Sequence, residues 1–180
     1  MKLNYTLTEE DFLQFQLFMV SQSKSLMKRR TIGKMFLLIV YGILGVVIWE
    51  KKGVVAAAFY FVVCLPLYFL YQFMESRQFI SHFRKNARTY YKEQLQKSKS
   101  LDLGEDIILT SDDGVQNKFT LPSLTGIKET PSLFILMLKD THPILIPKKN
   151  QQVDSLQAWS TSQSNALQIP YEQFLKWKWK

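Results

Sequence analysis

Two uncharged apolar runs, separated by three residues, constrain this chain more than any other feature. Met35–Trp49 covers about 15 residues and Gly53–Met74 about 22, against the roughly 20 that a helix needs to cross a bilayer. Alone, the first run is ambiguous between a membrane helix and a buried core helix. Ile32 and Gly33 extend it if Lys34 snorkels towards the headgroups. The second run decides for the membrane. It is long enough to span, and its Pro66 is better tolerated in a membrane helix than in an exposed soluble one. Glu50-Lys51-Lys52 between the runs is too short for anything except a tight turn. The expectation is a transmembrane hairpin over residues 32–76, with helices at about 32–49 and 53–74.

Charge then sets the orientation. Lys24, Lys28, Arg29, Arg30 and Lys34 precede the first run, and Arg77, Arg84, Lys85, Arg88 and Lys92 follow the second. Both flanks outweigh the two lysines of the turn, so the positive-inside rule expects a multi-pass protein of the cell membrane with both termini cytoplasmic. The formal net charge of +8 is carried by these flanks, because residues 101–180 hold eight bases against nine acids. A near-neutral C-terminal part argues against nucleic acid as a partner, since a readout surface is normally basic. The single cysteine, Cys64, lies inside an apolar run and excludes an intramolecular disulfide.

The flanks carry their own patterns. Residues 1–31 read as a short strand and an amphipathic helix on the cytoplasmic side. Leu3, Tyr5 and Leu7 alternate as in a strand. Thr8 can cap a helix whose first turn holds Glu9, Glu10 and Asp11, and Phe12, Phe15 and Met19 form one stripe. Residues 77–100 read as a basic juxtamembrane helix with Phe79, Ile80, Phe83, Ala87, Tyr90, Tyr91 and Leu95 at helical spacing. Two readings stay open for it: lying on anionic headgroups, or packing its stripe on the domain that follows. From Leu101 the period becomes that of strands, and residues 101–165 read as a small antiparallel β-domain closed by helices. Its expected strands are 106–110, 115–121, 124–130, 133–139 and 143–147. Ser111-Asp112-Asp113-Gly114 makes a hairpin turn, and Pro143 and Pro147 mark an edge strand. Val153, Leu156 and Trp159 fit one face of a short helix. Residues 166–180 form a basic, aromatic tail. The fold class expected is α+β.

The opening Leu7-Thr8-Glu9-Glu10-Asp11-Phe12, the two apolar runs, and the segments Leu133-Phe134-Ile135-Leu136 and Ile144-Leu145-Ile146-Pro147-Lys148 together resemble the YcxB-like family of bacterial membrane proteins. The family's acidic turn with glycine corresponds to Asp112-Asp113-Gly114, and its Ile-Pro-Lys motif to Ile146-Pro147-Lys148. The resemblance implies two membrane helices and a cytoplasmic β-domain similar to pleckstrin-homology-like folds. It implies no reaction and no catalytic residues.

A search for chemistry agrees. His82, His142 and Cys64 cannot assemble the roughly four clustered ligands that zinc requires. No Gly-x-Ser-x-Gly elbow or phosphate-cradling glycine loop occurs. The pairs Glu105/Asp106 and Asp112/Asp113 lie outside any acid–base frame. No catalytic, metal or cofactor-binding residue is assigned, no cofactor is implied, and a non-enzymatic protein is expected. Four residues are candidate contacts for a partner or an anionic headgroup. Lys148 and Lys149 follow the edge strand, where the alternative is a pair of idle surface lysines. Trp177 and Trp179 alternate with cations as at a membrane interface, the alternative being a frayed tail or an edge strand. The partners expected are the lipid bilayer and either a protein or anionic headgroups, with strand addition at the Pro143–Pro147 edge as one mode. The alternative is an accessory subunit that assembles through its hairpin, using Gly42, Gly45, Gly53 and Ala56–Ala58 for close helix approach.

Overall fold

The computed structural model describes residues 1–90, 97–104, 107–112, 115–149 and 151–179. The expectations placed on Tyr91, Lys92, Leu95, Glu105, Asp106, Asp113 and Gly114 fall outside these residues, as does any side-chain statement for Tyr90. The elements run β1 (Lys2–Thr6), α1 (Glu9–Gln22), α2 (Lys24–Lys52), α3 (Val54–Tyr90), β2 (Ser98–Leu103), β3 (Ile107–Asp112), β4 (Val115–Thr120), a 3-10 turn (Leu121–Ser123), β5 (Leu124–Glu129), β6 (Leu133–Leu138), β7 (Ile144–Pro147), α4 (Val153–Leu167) and β8 (Tyr171–Gln173). The fold is α+β, and it divides into two compact units. One is helical, Leu17–Phe83. The other, the β unit, joins Met1–Gln16 to Arg84–Trp179.

In the helical unit both apolar runs are helices long and apolar enough to cross a membrane. With 29 and 37 residues, α2 and α3 measure about 43 and 55 Å at 1.5 Å per residue. The basic cluster expected ahead of the first helix is part of α2, which starts at Lys24 with the Ser23 hydroxyl accepting from the Leu26 N–H. The expected turn at Glu50–Lys52 is corrected. Those residues finish α2, and the chain reverses at Gly53 alone, with φ +80°. Only glycine takes that backbone without cost, so one residue does the work assigned to three. Pro66 sits inside α3, which continues past it.

The two helices turn their large apolar side chains outward. Val55 is 85% exposed, Phe59 72% and Phe36 67%. The covered positions recur every three or four residues: Arg30, Lys34, Leu37, Tyr41, Gly45 and Ile48 on α2, and Ala57, Tyr60, Cys64, Tyr68, Gln72, Glu75 and Phe79 on α3. Small and polar residues dominate this facing stripe. The Phe61 ring lies against Gly45 where any Cβ would overlap it, and the Tyr60 hydroxyl donates to the Tyr41 carbonyl at 3.3 Å. At one end Arg30 forks onto the Glu75 carboxylate at 3.1 and 3.5 Å, and Lys34 approaches it at 3.5 Å.

The β unit holds two four-stranded sheets rather than the single sheet expected. Sheet A has the order β1-β2-β3-β4, antiparallel throughout. Sheet B has the order β7-β6-β5-β8, with β8 parallel to β5. The N-terminal strand is therefore no separate element: Leu3 faces Leu101 and Tyr5 faces Lys99 across the β1–β2 ladder. Nor is 166–180 a loose tail, since Tyr171–Gln173 forms β8 and Pro170 packs 3.4 Å from where a Gly126 Cβ would stand. The Pro143–Pro147 segment is an edge strand, as its prolines indicate, although β1 runs beside it. The core is built from Leu3, Leu101, Leu103 and Ile108 of sheet A with Ile127 and Leu133–Leu136 of sheet B. Leu156 of α4 is buried as well.

α1 opens on a capping box. The Asp11 N–H donates to the Thr8 hydroxyl oxygen, and the Thr8 N–H donates back to the Asp11 carboxylate at 2.9 Å. Within the β unit, the last turns of α3 pair with this opening: Arg88 reaches Glu9 at 2.8 Å and Arg84 reaches Glu10 at 3.4 Å. Ala87 between them is fully buried. This last stretch of α3 thus packs Ala87 within the β unit.

Candidate functional site

A cleft of about 640 Å3 opens inside the β unit, at one end of sheet A. Strand alternation places Leu3, Leu101, Thr110 and Asn117 in one row on the inward face of that sheet. The row next to it contains Leu103, Ile108 and Phe119. On the other side of it stand Tyr5 and Lys99. The inward face thus changes along its length from fully apolar to polar. Thr110 and Lys99 are half-buried there and Asn117 is exposed. These three, with Tyr5 and Phe119, line the cleft.

Other elements supply the facing wall. α1 contributes Phe12, Phe15 and Gln16, the end of α3 contributes Asn86, and the β6–β7 connection contributes His142 and Pro143. The Gln16 Oε1 atom is buried and has no hydrogen-bond partner among the described residues. A buried acceptor left unpaired carries a desolvation penalty, which a donor entering the cleft would relieve. Among the described lining residues none is a carboxylate, and Lys99 is the one permanently charged side chain. The cleft offers amide and hydroxyl groups next to aromatic walls, a combination suited to holding a molecule in place.

A second polar cluster lies elsewhere in the unit. The Glu129 side chain is wholly buried at the end of β5. Its Oε1 accepts from Lys148 Nζ at 2.6 Å and from Gln157 Nε2 at 2.8 Å. Its Oε2 accepts from the Tyr171 hydroxyl and from Gln173 Nε2 at 3.0 Å. Burial alone would raise the carboxyl pKa, but the hydrogen bonds from Lys148, Tyr171 and Gln157 outweigh it and hold the group below its usual value. The Tyr171 phenol is pushed up to about 12 by burial and by its bond to Glu129. A carboxylate with both oxygens doubly engaged has no lone pair left for chemistry. Its geometry is that of a clasp joining β5, the end of β7, α4 and β8.

That clasp decides where Lys148 stands. Its ammonium sits on Glu129 and 5.0 Å from the centre of the Phe134 ring, with the side chain only 15% exposed. Lys149 is exposed and borders a separate groove of about 550 Å3, which Glu10 and Asp11 also line. An anion approaching Lys149 there meets two carboxylates as well. Trp177 and Trp179 follow β8 and are half-buried, while Lys176 and Lys178 between and beside them are exposed. The Trp177 N–H donates to the Phe174 carbonyl at 2.9 Å, which turns the chain back after β8. Of the four candidate residues, Lys148 belongs to the Glu129 cluster and Lys149 to the second groove. The cleft residues Gln16, Thr110 and Asn117 escaped the sequence reading because their significance depends on strand register. No family model, curated protein or solved structure matches the chain.

Proposed function

We propose that this chain is a non-enzymatic integral membrane protein of the YcxB-like kind, whose β unit binds a protein or lipid partner at the inner membrane face. Its helical hairpin crosses the cell membrane with both termini in the cytoplasm. The observation that carries the reading is the inverted pattern of α2 and α3. Their facing stripe is glycine, alanine, cysteine, tyrosine and paired charges, and their outer surface is phenylalanine, leucine and valine. A water-soluble hairpin hides the second set; a hairpin solvated by lipid displays it. The arrangement of two antiparallel-rich sheets followed by a helix supports a pleckstrin-homology-like unit.

The absence of a role in catalysis is supported by the Glu129 cluster. It is the nearest approach to an acid–base constellation, yet none of Glu129, Lys148, Tyr171, Gln157 and Gln173 lines the cleft. The alternative of an accessory subunit loses part of its support, because Gly45 and Ala57 are spent inside the hairpin.

The test is membrane extraction and labelling of the full-length chain. Alkaline carbonate should leave the protein in the membrane, and single cysteines at Lys2 and Gln173 should react with an impermeant maleimide only after the cells are opened. Release by carbonate would refute the membrane reading. Labelling of either position on intact cells would refute the orientation.

A further inference from the structure

We infer that the cleft at the polar end of sheet A binds an uncharged amphipathic small molecule, one that presents a hydroxyl or N–H group on an apolar or aromatic body. The inference deepens the reading of the β unit as a binding module and rests on it. Three independent features of the cleft agree.

The first is the interruption of the core pattern. Leu3 and Leu101 are continued across the sheet by Thr110 and Asn117, in register and on the same face, Thr110 half-buried and Asn117 exposed at the cleft. The buried apolar face thus gives way to hydroxyl and amide groups where the cleft opens. The second is Gln16, whose Oε1 is buried and finds no donor among the described residues, so a donor on a ligand would complete it. Trp159 Nε1 and Ser160 Oγ are also buried without partners, but neither lines this cleft. The third is the lining. Phe12, Phe15 and Phe119 give it apolar walls, and its volume of about 640 Å3 lies inside the roughly 300–1,000 Å3 typical of small-molecule sites.

The same lining excludes other ligand classes. A phosphate or polyanion calls for several converging cations, whereas one lysine is present. A cationic ligand calls for carboxylates, and the described lining residues include none. What remains is a neutral molecule held by amide and hydroxyl groups at one end and by aromatic rings along its body. A hydroxyl-bearing membrane lipid and a soluble aromatic alcohol or amide share this chemistry.

The experiment uses the full-length protein purified in mild detergent from the membranes in which it was made. One arm extracts the protein with organic solvent and identifies bound molecules by mass spectrometry. A stoichiometric hydroxyl- or N–H-bearing molecule in the organic phase marks a lipid, and one in the aqueous phase marks a soluble metabolite. The other arm titrates tryptophol, an indole alcohol, by saturation-transfer NMR. Thr110→Val/Asn117→Leu removes the hydroxyl and amide of the cleft and is expected to stay folded, with a melting temperature near that of wild type, while losing tryptophol or the extracted molecule at least tenfold. Gln16→Leu is expected to weaken binding without unfolding the protein. A wild type that yields no bound molecule and shows no tryptophol contact overturns the inference and leaves a solvated groove. So does binding that both variants retain. Carbonate extraction of the same preparations reports separately on the membrane reading, so failure of either idea is recognisable by itself.

Discussion

Replacing Lys148 by methionine isolates what the Glu129 clasp contributes. The change keeps an apolar stem over Phe134 and removes the one positive charge bonded to a carboxylate that no water reaches. Breaking a buried ion pair by deleting one partner costs about 3–5 kcal/mol, because the other charge stays buried. The Lys148 side chain keeps 15% of its exposure, and Glu129 retains Gln157, Tyr171 and Gln173, so the lower end, about 3 kcal/mol, is expected. With a urea slope of about 2 kcal/mol per molar, the midpoint should fall by roughly 1.5 M. The measurement is equilibrium urea unfolding of the detergent-solubilised full-length chain followed by tryptophan fluorescence. Trp159, Trp177 and Trp179 all lie in the β unit and report on its unfolding. Pairing the change with Glu129→Gln should restore about 1 kcal/mol or more relative to the sum of the single changes, because the two sites touch. A Lys148→Met midpoint within about 0.3 M of wild type, equivalent to about 0.6 kcal/mol, would refute the clasp.

The same cluster sets a pH window. Glu129 has a lowered folded pKa, so its contribution is present above the ordinary carboxyl value and is lost as pH falls through the folded one. Tyr171 has a raised folded pKa, so its contribution is intact below about 10 and is lost as pH rises towards about 12. Urea midpoints should therefore form a plateau that declines at both extremes, and Tyr171→Phe should remove the alkaline decline attributable to that phenol. Gly45→Leu forces a side chain into the Phe61 ring, an overpacking worth about 1–3 kcal/mol; spin labels at Val46 and Val62 in a Cys64→Ser background should move apart, and an unchanged distance distribution would count against the hairpin packing. Glu75→Gln removes the charged acceptor of Arg30 and Lys34 and should destabilise the hairpin by about 2 kcal/mol, measurable as a lower melting temperature in detergent.

Long periodic elements were legible in the sequence, and their long-range pairings were not. The two apolar runs and the strand alternation of β3 to β7 identify helices and strands by local pattern alone, whereas β2 begins at Ser98, inside the stretch 77–100 that reads as helix, and was missed. The turn between α2 and α3 was misplaced because Glu50-Lys51-Lys52 has the composition of a loop, whereas helix formation persists until the one residue that accepts φ +80°, Gly53. The pairing of β1 with β2 bridges the whole hairpin, a separation that no local signal spans. β8 escaped notice because three residues are too few to show a period. Glu129 was equally silent: its partners lie 19 to 44 residues downstream, with no spacing that marks them as one cluster.

The two polar features of the β unit differ in a way that separates structure from function. Around Glu129 every carboxylate oxygen is used, the partners come from three different segments, and the group is sealed from solvent. Such closure fixes a unique arrangement of strands and leaves nothing to offer a ligand. The cleft shows the opposite condition. Thr110 and Asn117 interrupt an apolar face, and Gln16 holds a buried acceptor without a donor. Folding alone gives no reason to keep the buried Gln16 acceptor, since an apolar residue there would remove the orphan. A fold that satisfies its most expensive buried charge so fully, yet leaves a cheaper defect uncorrected at the mouth of a cavity, places its working surface at the defect.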